Sequence, residues 1–448
     1  MKICFVLIAE RDYDFFDLVG RQLTTRGHTV TLLDFHTPHK LLKNIGSVRI
    51  VFFQDLYRAR DNEPFALSDW EDSWLLHERL THEEPSDFLR KKGRNYEAVI
   101  DKFLKAENFD YVIQELGGFI APLSIYRSCK KNAIKHLFIE PTFFQGHLGF
   151  IQDALNYKVS EKVHSEILFD SIEFIREMLA KKPSVIPNKD KHHFKDAKFG
   201  KFININNIRS FLKKMFCRRV LKLDFEYKYT WVFLRRAIKS IANRKFLGRW
   251  NQKNLNRLGN QAGARCYFYP FHVKLDFSLT VRAPESLDQI ANINRVLDVI
   301  GKDDFLVVKE HPASIGAYGV RDLKRISDRS RIIWVDPSVS TFDIIERCEA
   351  VFTVNSKVGV EALISKKPVY CLSDSYYLGA GLAQPVEAFN ILANDDWFVC
   401  EQRLKNFLTN LKVSSYRCEL YDYSQKNITQ FADAILHVIE KKSFLNVR

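Results

Sequence analysis

Apolar positions in the first third of the chain fall into short, nearly unbroken runs. Lys2–Ala9 (KICFVLIA), His28–Phe35 (HTVTLLDF), Ser47–Phe53, Tyr111–Leu116 (YVIQEL) and Ile134–Glu140 (IKHLFIE) predict strands. Asp14–Arg26 carries its apolar residues at helical spacing, with Gly27 as its C-terminal stop. The polar, acidic stretch before Tyr111 also has helical spacing. Strands that do not alternate are buried on both faces, so this rhythm implies a parallel sheet covered by helices. It lapses after about residue 165 and resumes at Cys266–Val273, a strand. A helix follows within Ser286–Gly301, then the strands Phe305–Lys309 and Arg331–Val335. Ser340 or Thr341 caps a helix over Phe342–Glu349. Ala350–Val354 is a strand, Ser356–Ser365 a helix, Pro368–Leu372 a strand, and Asp422–Lys442 a terminal helix.

The pattern predicts two Rossmann-like, doubly wound α/β domains, 1–165 and 259–420, separated by an insertion at 166–258 and followed by a terminal helix at 421–448. Length agrees: a single core rarely grows past roughly 250–300 residues, and this chain has 448. A ligand between two such domains is expected in the cleft, at the carboxyl ends of the strands.

Charge singles out the insertion. Between Lys191 and Trp250 there are 17 Lys and Arg against 3 Asp and Glu, which accounts for the whole formal charge of +14. Phe211, Leu212, Met215, Phe216, Val220 and Leu221 are interleaved with Lys213, Lys214, Arg218, Arg219 and Lys222. Trp231, Val232, Phe233, Leu234 and Ile238 are interleaved with Arg235, Arg236 and Lys239. Basic and apolar residues at helical spacing suit a helix lying on an anionic membrane surface. A solvated basic face packed on its own protein is the plainer reading. No nucleic-acid motif accompanies the charge, so nucleic acid is not expected as a partner. No run approaches the roughly 20 apolar residues of a membrane-crossing helix. The start, MKICFVLIAERD, reads as a first buried strand rather than a signal peptide. The eight cysteines are scattered, which argues against a disulfide framework or a zinc site and for a reducing compartment.

Two segments carry chemistry. In Thr353–Leu363 (TVNSKVGVEAL) a strand gives way to a helix, whose first backbone N–H groups form an anion site. Asn355 and Ser356 add donors, Gly359 permits close approach of a ligand or strand, and Glu361 reaches a sugar hydroxyl. A capped helix with a solvated Glu361 is the alternative. In Lys309-Glu310-His311-Pro312 the histidine stands at a strand's carboxyl end, where an imidazole can donate to a phosphate oxygen.

Taken together, HP at 311–312, NSKVGVEAL at 355–363, KPVY at 367–370 and SYYLGAGLAQP at 375–385 resemble the capsule polysaccharide biosynthesis family, which includes bacterial Kdo transferases with a GT-B fold. The HP and serine elements are also similar to those of bacterial sialyltransferases. The resemblance implies that His311, Asn355 and Ser356 hold the phosphate of a CMP donor and that Glu361 holds a ribose hydroxyl; Lys309, two residues before His311, is a further donor-side candidate that would help neutralise the phosphate without a metal. His272 stands where the family often has glutamine, with Asp276 as a further candidate. More loosely, Ile139–His147 and Asn156-Tyr157 are similar to the family's acidic segment, which implies Asp153 as nucleophile and Glu140 as acid/base partner.

The expected activity is transfer of Kdo or a related acidic sugar from a CMP-activated nucleotide-sugar donor to a glycan or glycolipid acceptor. It is expected at the inner face of the bacterial inner membrane, with a cytoplasmic, peripheral enzyme and no metal or other cofactor. A CDP-glycerol-type glycerophosphotransferase and a non-catalytic, membrane-associated assembly factor are the rival readings.

Overall fold

The computed structural model describes residues 1–37, 39, 48–59, 69–159, 169–183, a few positions between 209 and 221, 231–255, 264–389 and 399–443. Much of the basic segment, including Phe211, Lys213, Lys214, Arg218 and Lys222, lies outside the described residues.

The first run of elements is β1 Lys2–Leu7, α1 Asp12–Thr24, β2 Thr29–Asp34, β3 Arg49–Phe52, α2 Phe53–Arg58, α3 Asp72–His82, α4 Ser86–Glu107, β4 Tyr111–Glu115, α5 Ile120–Lys131, β5 Lys135–Pro141 and β6 His147–Gln152. Helices α6 Ser171–Lys181 and α7 Trp231–Leu255 fall in the insertion. The second run is β7 Cys266–Pro270, α8 Phe277–Thr280, α9 Gln289–Val299, β8 Phe305–Lys309, α10 Val320–Leu323, β9 Ile332–Val335, α11 Thr341–Glu346, β10 Ala350–Thr353, α12 Val358–Ile364, β11 Val369–Cys371 and β12 Gln384–Pro385. The chain closes with α13 Glu401–Val413, β13 Ser415–Arg417 and α14 Gln425–Ser443.

The strands form two sheets, ordered β13-β6-β5-β4-β1-β2-β3 and β12-β11-β10-β7-β8-β9. The second sheet is parallel throughout, and the first is parallel from β3 across to β5. In each, the first strand lies inside the sheet and the order reverses beside it, between β1 and β4 and between β7 and β10. This is the doubly wound α/β arrangement, twice over. The strand cores Phe5, Val112, Ile113, Phe268, Val307 and Val351 are fully buried, as runs covered on both faces must be. Among the described residues no helix is long and apolar enough to cross a membrane.

Three strands were not legible as such, the two-residue β12 and the longer β6 and β13. Residues 147–152, adjoining a segment read as irregular, form β6, which returns antiparallel along β5 after a turn at Gly146 with φ of 73°. The Gln145-Gly146 pair ahead of HLGFIQ was the available signal. Further on, β13 pairs antiparallel with β6, so the chain leaves the second sheet and ends on the first. Helix α14 then packs on α1, with Ile428, Phe431, Ile435 and Ile439 in one core with Phe15, Phe16 and Val19. The Phe431 and Phe15 rings meet edge-on at 5.1 Å.

Phe431 is fully buried, and Phe431→Ala is expected to cost about 3–5 kcal/mol. Hydrogen exchange should then show β1 and α1 losing protection while β8 and β10 keep theirs. Equal loss across both sheets would mean that the tail is not energetically part of the first domain.

Candidate active site

Both sheets direct strand carboxyl ends into one cleft of about 1530 Å³. Glu140 and Pro141 reach it from β5. His272 and Asp276 follow β7, Glu310 and His311 follow β8, and Asn355 and Ser356 follow β10. The second domain therefore presents its switch point, between β7 and β10, to the opening, where open α/β sheets bind ligands.

The cleft is held across its middle by charge. Arg282 donates from Nη1 and Nη2 to the two carboxylate oxygens of Glu140, both at 2.8 Å, and from Nε to the Leu155 carbonyl at 2.8 Å. The two side chains are 13% and 25% exposed, so water screens the pair little. Lys357 reaches the same strand end, donating to the carbonyls of Pro141 at 3.1 Å and Thr142 at 2.7 Å. His77 on α3 meets Thr280 on α8 at 2.8 Å.

On the cleft floor, three buried polar atoms have no protein partner: His272 Nε2, Asn355 Oδ1 and Glu361 Oε2. Burying such atoms unpaired costs stability unless something else satisfies them, so they mark a place for a polar ligand. Burial depresses His272 to about 4, so its ring is neutral. His311 accepts the Ala313 N–H at Nδ1, 3.2 Å away, which places the ring proton of the neutral form on Nε2 as a donor. Lys309 donates to the Val339 carbonyl at 2.6 Å and to Thr341 Oγ1 at 3.1 Å. Burial lowers its pKa to about 8. Burial likewise raises Glu361 to about 7, against the opposing pull of Lys309 and Lys357. Glu310 is also raised to about 7 by burial, and accepts the Gly316 N–H at 3.1 Å.

The ten residues singled out in the sequence separate into groups. Lys309, His311, His272, Asp276, Asn355, Ser356, Glu361 and Glu140 line the cleft. Asp153 does not. Because β6 runs antiparallel, its carboxyl end lies beside the amino end of β5, away from the opening. There the Asp153 carboxylate accepts the His136 N–H at 2.8 Å and the Gln152 amide at 2.8 Å. Glu140 is in the cleft but engaged with Arg282. Gly359 serves packing: a Cβ there would lie 2.5 Å from the Tyr377 ring, and Tyr377 donates its hydroxyl to the Ser356 carbonyl. Two backbone amides expected to face a phosphate are satisfied within the turn. Ser356 N–H meets Thr353 Oγ1, and Val358 N–H meets Ser356 Oγ. Arg282 and Lys357 escaped the sequence reading because their partners are 142 and 216 positions away in the chain.

Two facing doubly wound domains with a polar cleft between them define a GT-B-like architecture. Residues 190–396 match the family model described as Capsule polysaccharide biosynthesis protein. It is 30% identical over 141 residues to the capsule polysaccharide export protein KpsS of Escherichia coli, 29% of this chain and 36% of that protein. It is 30% identical over 113 residues to Protein FixF of Sinorhizobium fredii, 25% of this chain and 27% of that protein. The matches thus span roughly a third and a quarter of these relatives. Among solved structures, the beta Kdo 2,7 transferase of Thermosulfurimonas dismutans KpsC aligns with 98% of this chain and 99% of its own, at 11% identity and a TM-score of 0.39. UDP-GlcNAc 2-epimerase from Neisseria meningitidis aligns over 98% and 100%, at 12% identity and a TM-score of 0.28. The two-domain fold stands on its own strand order.

Two outcomes follow. Glu140→Gln leaves the Arg282 guanidinium buried without its carboxylate and is expected to lower stability in urea by about 3 kcal/mol; a loss under about 0.5 kcal/mol would place the pair with exposed ones. Below about pH 7 the floor carries neutral Glu361 and cationic Lys309; above about pH 8 it carries anionic Glu361 and neutral Lys309. Affinity for an anionic nucleotide, measured calorimetrically, should therefore fall as pH rises through this window. A flat or rising profile would remove these two groups from anion binding.

Proposed function

We propose that the protein is a glycosyltransferase of surface-polysaccharide synthesis, moving a sugar from a nucleotide-activated donor to a lipid-linked or growing glycan. The observation that carries this reading is the trio of unpartnered buried atoms, His272 Nε2, Asn355 Oδ1 and Glu361 Oε2, in the floor of an interdomain cleft. A volume of about 1530 Å³ has room for a nucleotide and its sugar together. The motif resemblance favours a CMP donor carrying Kdo or a related acidic sugar. His311 donates to the phosphate, and the cationic Lys309 offsets charge on the leaving nucleotide, so no divalent cation is required for that task.

Asp276 replaces Glu140, whose carboxylate Arg282 engages, as the candidate for acid/base work, and Asp153, which lies outside the cleft, is not carried forward as nucleophile. The Asp276 carboxylate caps α8 by accepting the Ser278 N–H, lines the cleft, and acts electrostatically on His272 and Arg282. A carboxylate at the cleft wall can take the acceptor's proton, which typically contributes a factor of about 10²–10⁴. The basic, apolar insertion keeps the enzyme on an anionic membrane at the cytoplasmic face, close to lipid-linked acceptors.

The test is CMP release by the purified full chain with CMP-Kdo and with CMP-sialic acid, with and without membrane-extracted acceptor. Acceptor-dependent release is expected, falling at least about 100-fold in His311→Ala and in Asp276→Asn and persisting in Asp153→Asn. Turnover of CDP-glycerol in place of both donors would overturn the donor assignment. Normal release in Asp276→Asn would remove that residue from catalysis.

A further inference from the structure

Helix α7 has two faces with different work. Its inner face touches both domains. Arg236 donates to the Leu80 and Thr81 carbonyls at 2.5 and 3.0 Å, in the last turn of α3. Arg235 and Arg236 both pair with Glu83, the left-handed residue that ends α3. Two guanidinium groups thus sit at the negative end of that helix. Further along, Ser240 Oγ and Arg244 Nε donate to the Ile315 carbonyl at 2.7 and 3.0 Å, and Asn243 Nδ2 donates to the Gly316 carbonyl at 2.9 Å.

Those carbonyls belong to the loop that starts at His311. At Gly316 the approach is so close that only glycine fits. Gly316 has φ of 79°, and a Cβ there would lie 2.2 Å from the Ser240 carbonyl oxygen. A Cβ on Gly319 would lie 2.5 Å from Asn243 Oδ1. From within, the buried Glu310 carboxylate holds the same loop through Gly316 N–H. The loop bearing His311 is therefore gripped between Glu310 and α7, and α7 is gripped by α3 of the other domain.

The outer face of α7 faces solvent. Leu234 and Ile238 are 45% and 59% exposed, one helical turn apart, with exposed Lys239 and Lys245 on the same helix. Leu212, Phe216, Val220, Leu221, Leu234 and Ile238 are half of the large hydrophobic residues exposed among the described residues, and all fall in the segment holding the whole net charge. An anionic bilayer is the surface this face complements, in charge and in apolar contact.

We infer that α7 links membrane contact to the cleft: seating its outer face on an anionic bilayer fixes the inner-face hydrogen bonds that hold α3 and the His311 loop together. This rests on the membrane docking proposed above and adds its consequence for the site. In water, the exposed ends of these contacts exchange with solvent; on the membrane, one rigid helix is held at both faces. Reciprocity then requires that a nucleotide which orders the loop tightens membrane binding by the factor by which vesicles tighten nucleotide binding.

The experiment is hydrogen exchange on the full chain with and without phosphatidylglycerol–phosphatidylcholine vesicles, with CMP affinity measured in parallel. Vesicles are expected to slow exchange at 312–319 and 80–84, and to tighten CMP binding by about five-fold or more. Ile238→Asp should abolish vesicle binding while leaving exchange in solution unchanged. Asn243→Ala, a milder change than Gly316→Ala, should keep vesicle binding and lose the protection at 312–319. Vesicle binding with no change in exchange or CMP affinity would overturn the link while leaving docking intact. No binding to anionic vesicles would overturn docking itself and leave a protein partner as the occupant of the outer face. Neither result bears on CMP release with soluble acceptor, so the transferase reading is tested separately.

Discussion

The cleft depends on one largely buried ion pair. Arg282, just after α8 in the second domain, meets Glu140 at the end of β5 in the first, with two parallel hydrogen bonds of 2.8 Å and a third to Leu155. Two stacked sheets have no intrinsic reason to present their strand ends to each other at one angle. A planar guanidinium forked onto a carboxylate supplies such a reason, since the pairing is directional and weakly screened. Lys357 repeats the contact beside it, on carbonyls. Between these ties and α7, the domains share a fixed wall, against which the residues of the switch point are arranged.

That arrangement leaves polar groups unsatisfied on purpose-built ground. A folded interior normally pairs its buried donors and acceptors. Here the side chains following β7 and β10, together with Glu361 one turn into α12, keep open hydrogen-bonding capacity at the point where the strand order reverses. Lys309 and Glu361 are both displaced by burial toward neutrality, in opposite directions, so the floor changes sign of charge over a narrow range near neutral pH. The site is thus set by desolvation as much as by the identity of its residues.

The excess charge has a structural as well as a solvent-facing use. Arg235 and Arg236 end α3, and Arg244 grips the loop after His311, while Leu234, Ile238 and Lys239 face outward. A reading of the insertion as either a solvated basic face or a membrane surface divides what one helix combines, because an α-helix offers opposite faces to opposite neighbours at 3.6 residues per turn.

Much of the fold was written in the order of residues. Period and run length place β1, β2, β4, β5 and the second sheet's β7 to β11 within a few residues, because strands buried on both faces must be continuously apolar. The strand ends then locate His311, Asn355, Glu361 and His272, since a parallel sheet aligns all its carboxyl ends. What the sequence could not decide was direction and long-range partnership. Asp153 looked like a cleft carboxylate until β6 turned back and carried it to the opposite edge. Gly359 promised room for a ligand or a neighbouring strand, and the room is taken by Tyr377. The return of β13 and α14 to the first domain, and the pairing of Arg282 with Glu140, join residues far apart in the chain. Local periodicity is fixed by backbone geometry within a few residues, whereas these contacts exist only once two separately folded sheets are brought face to face.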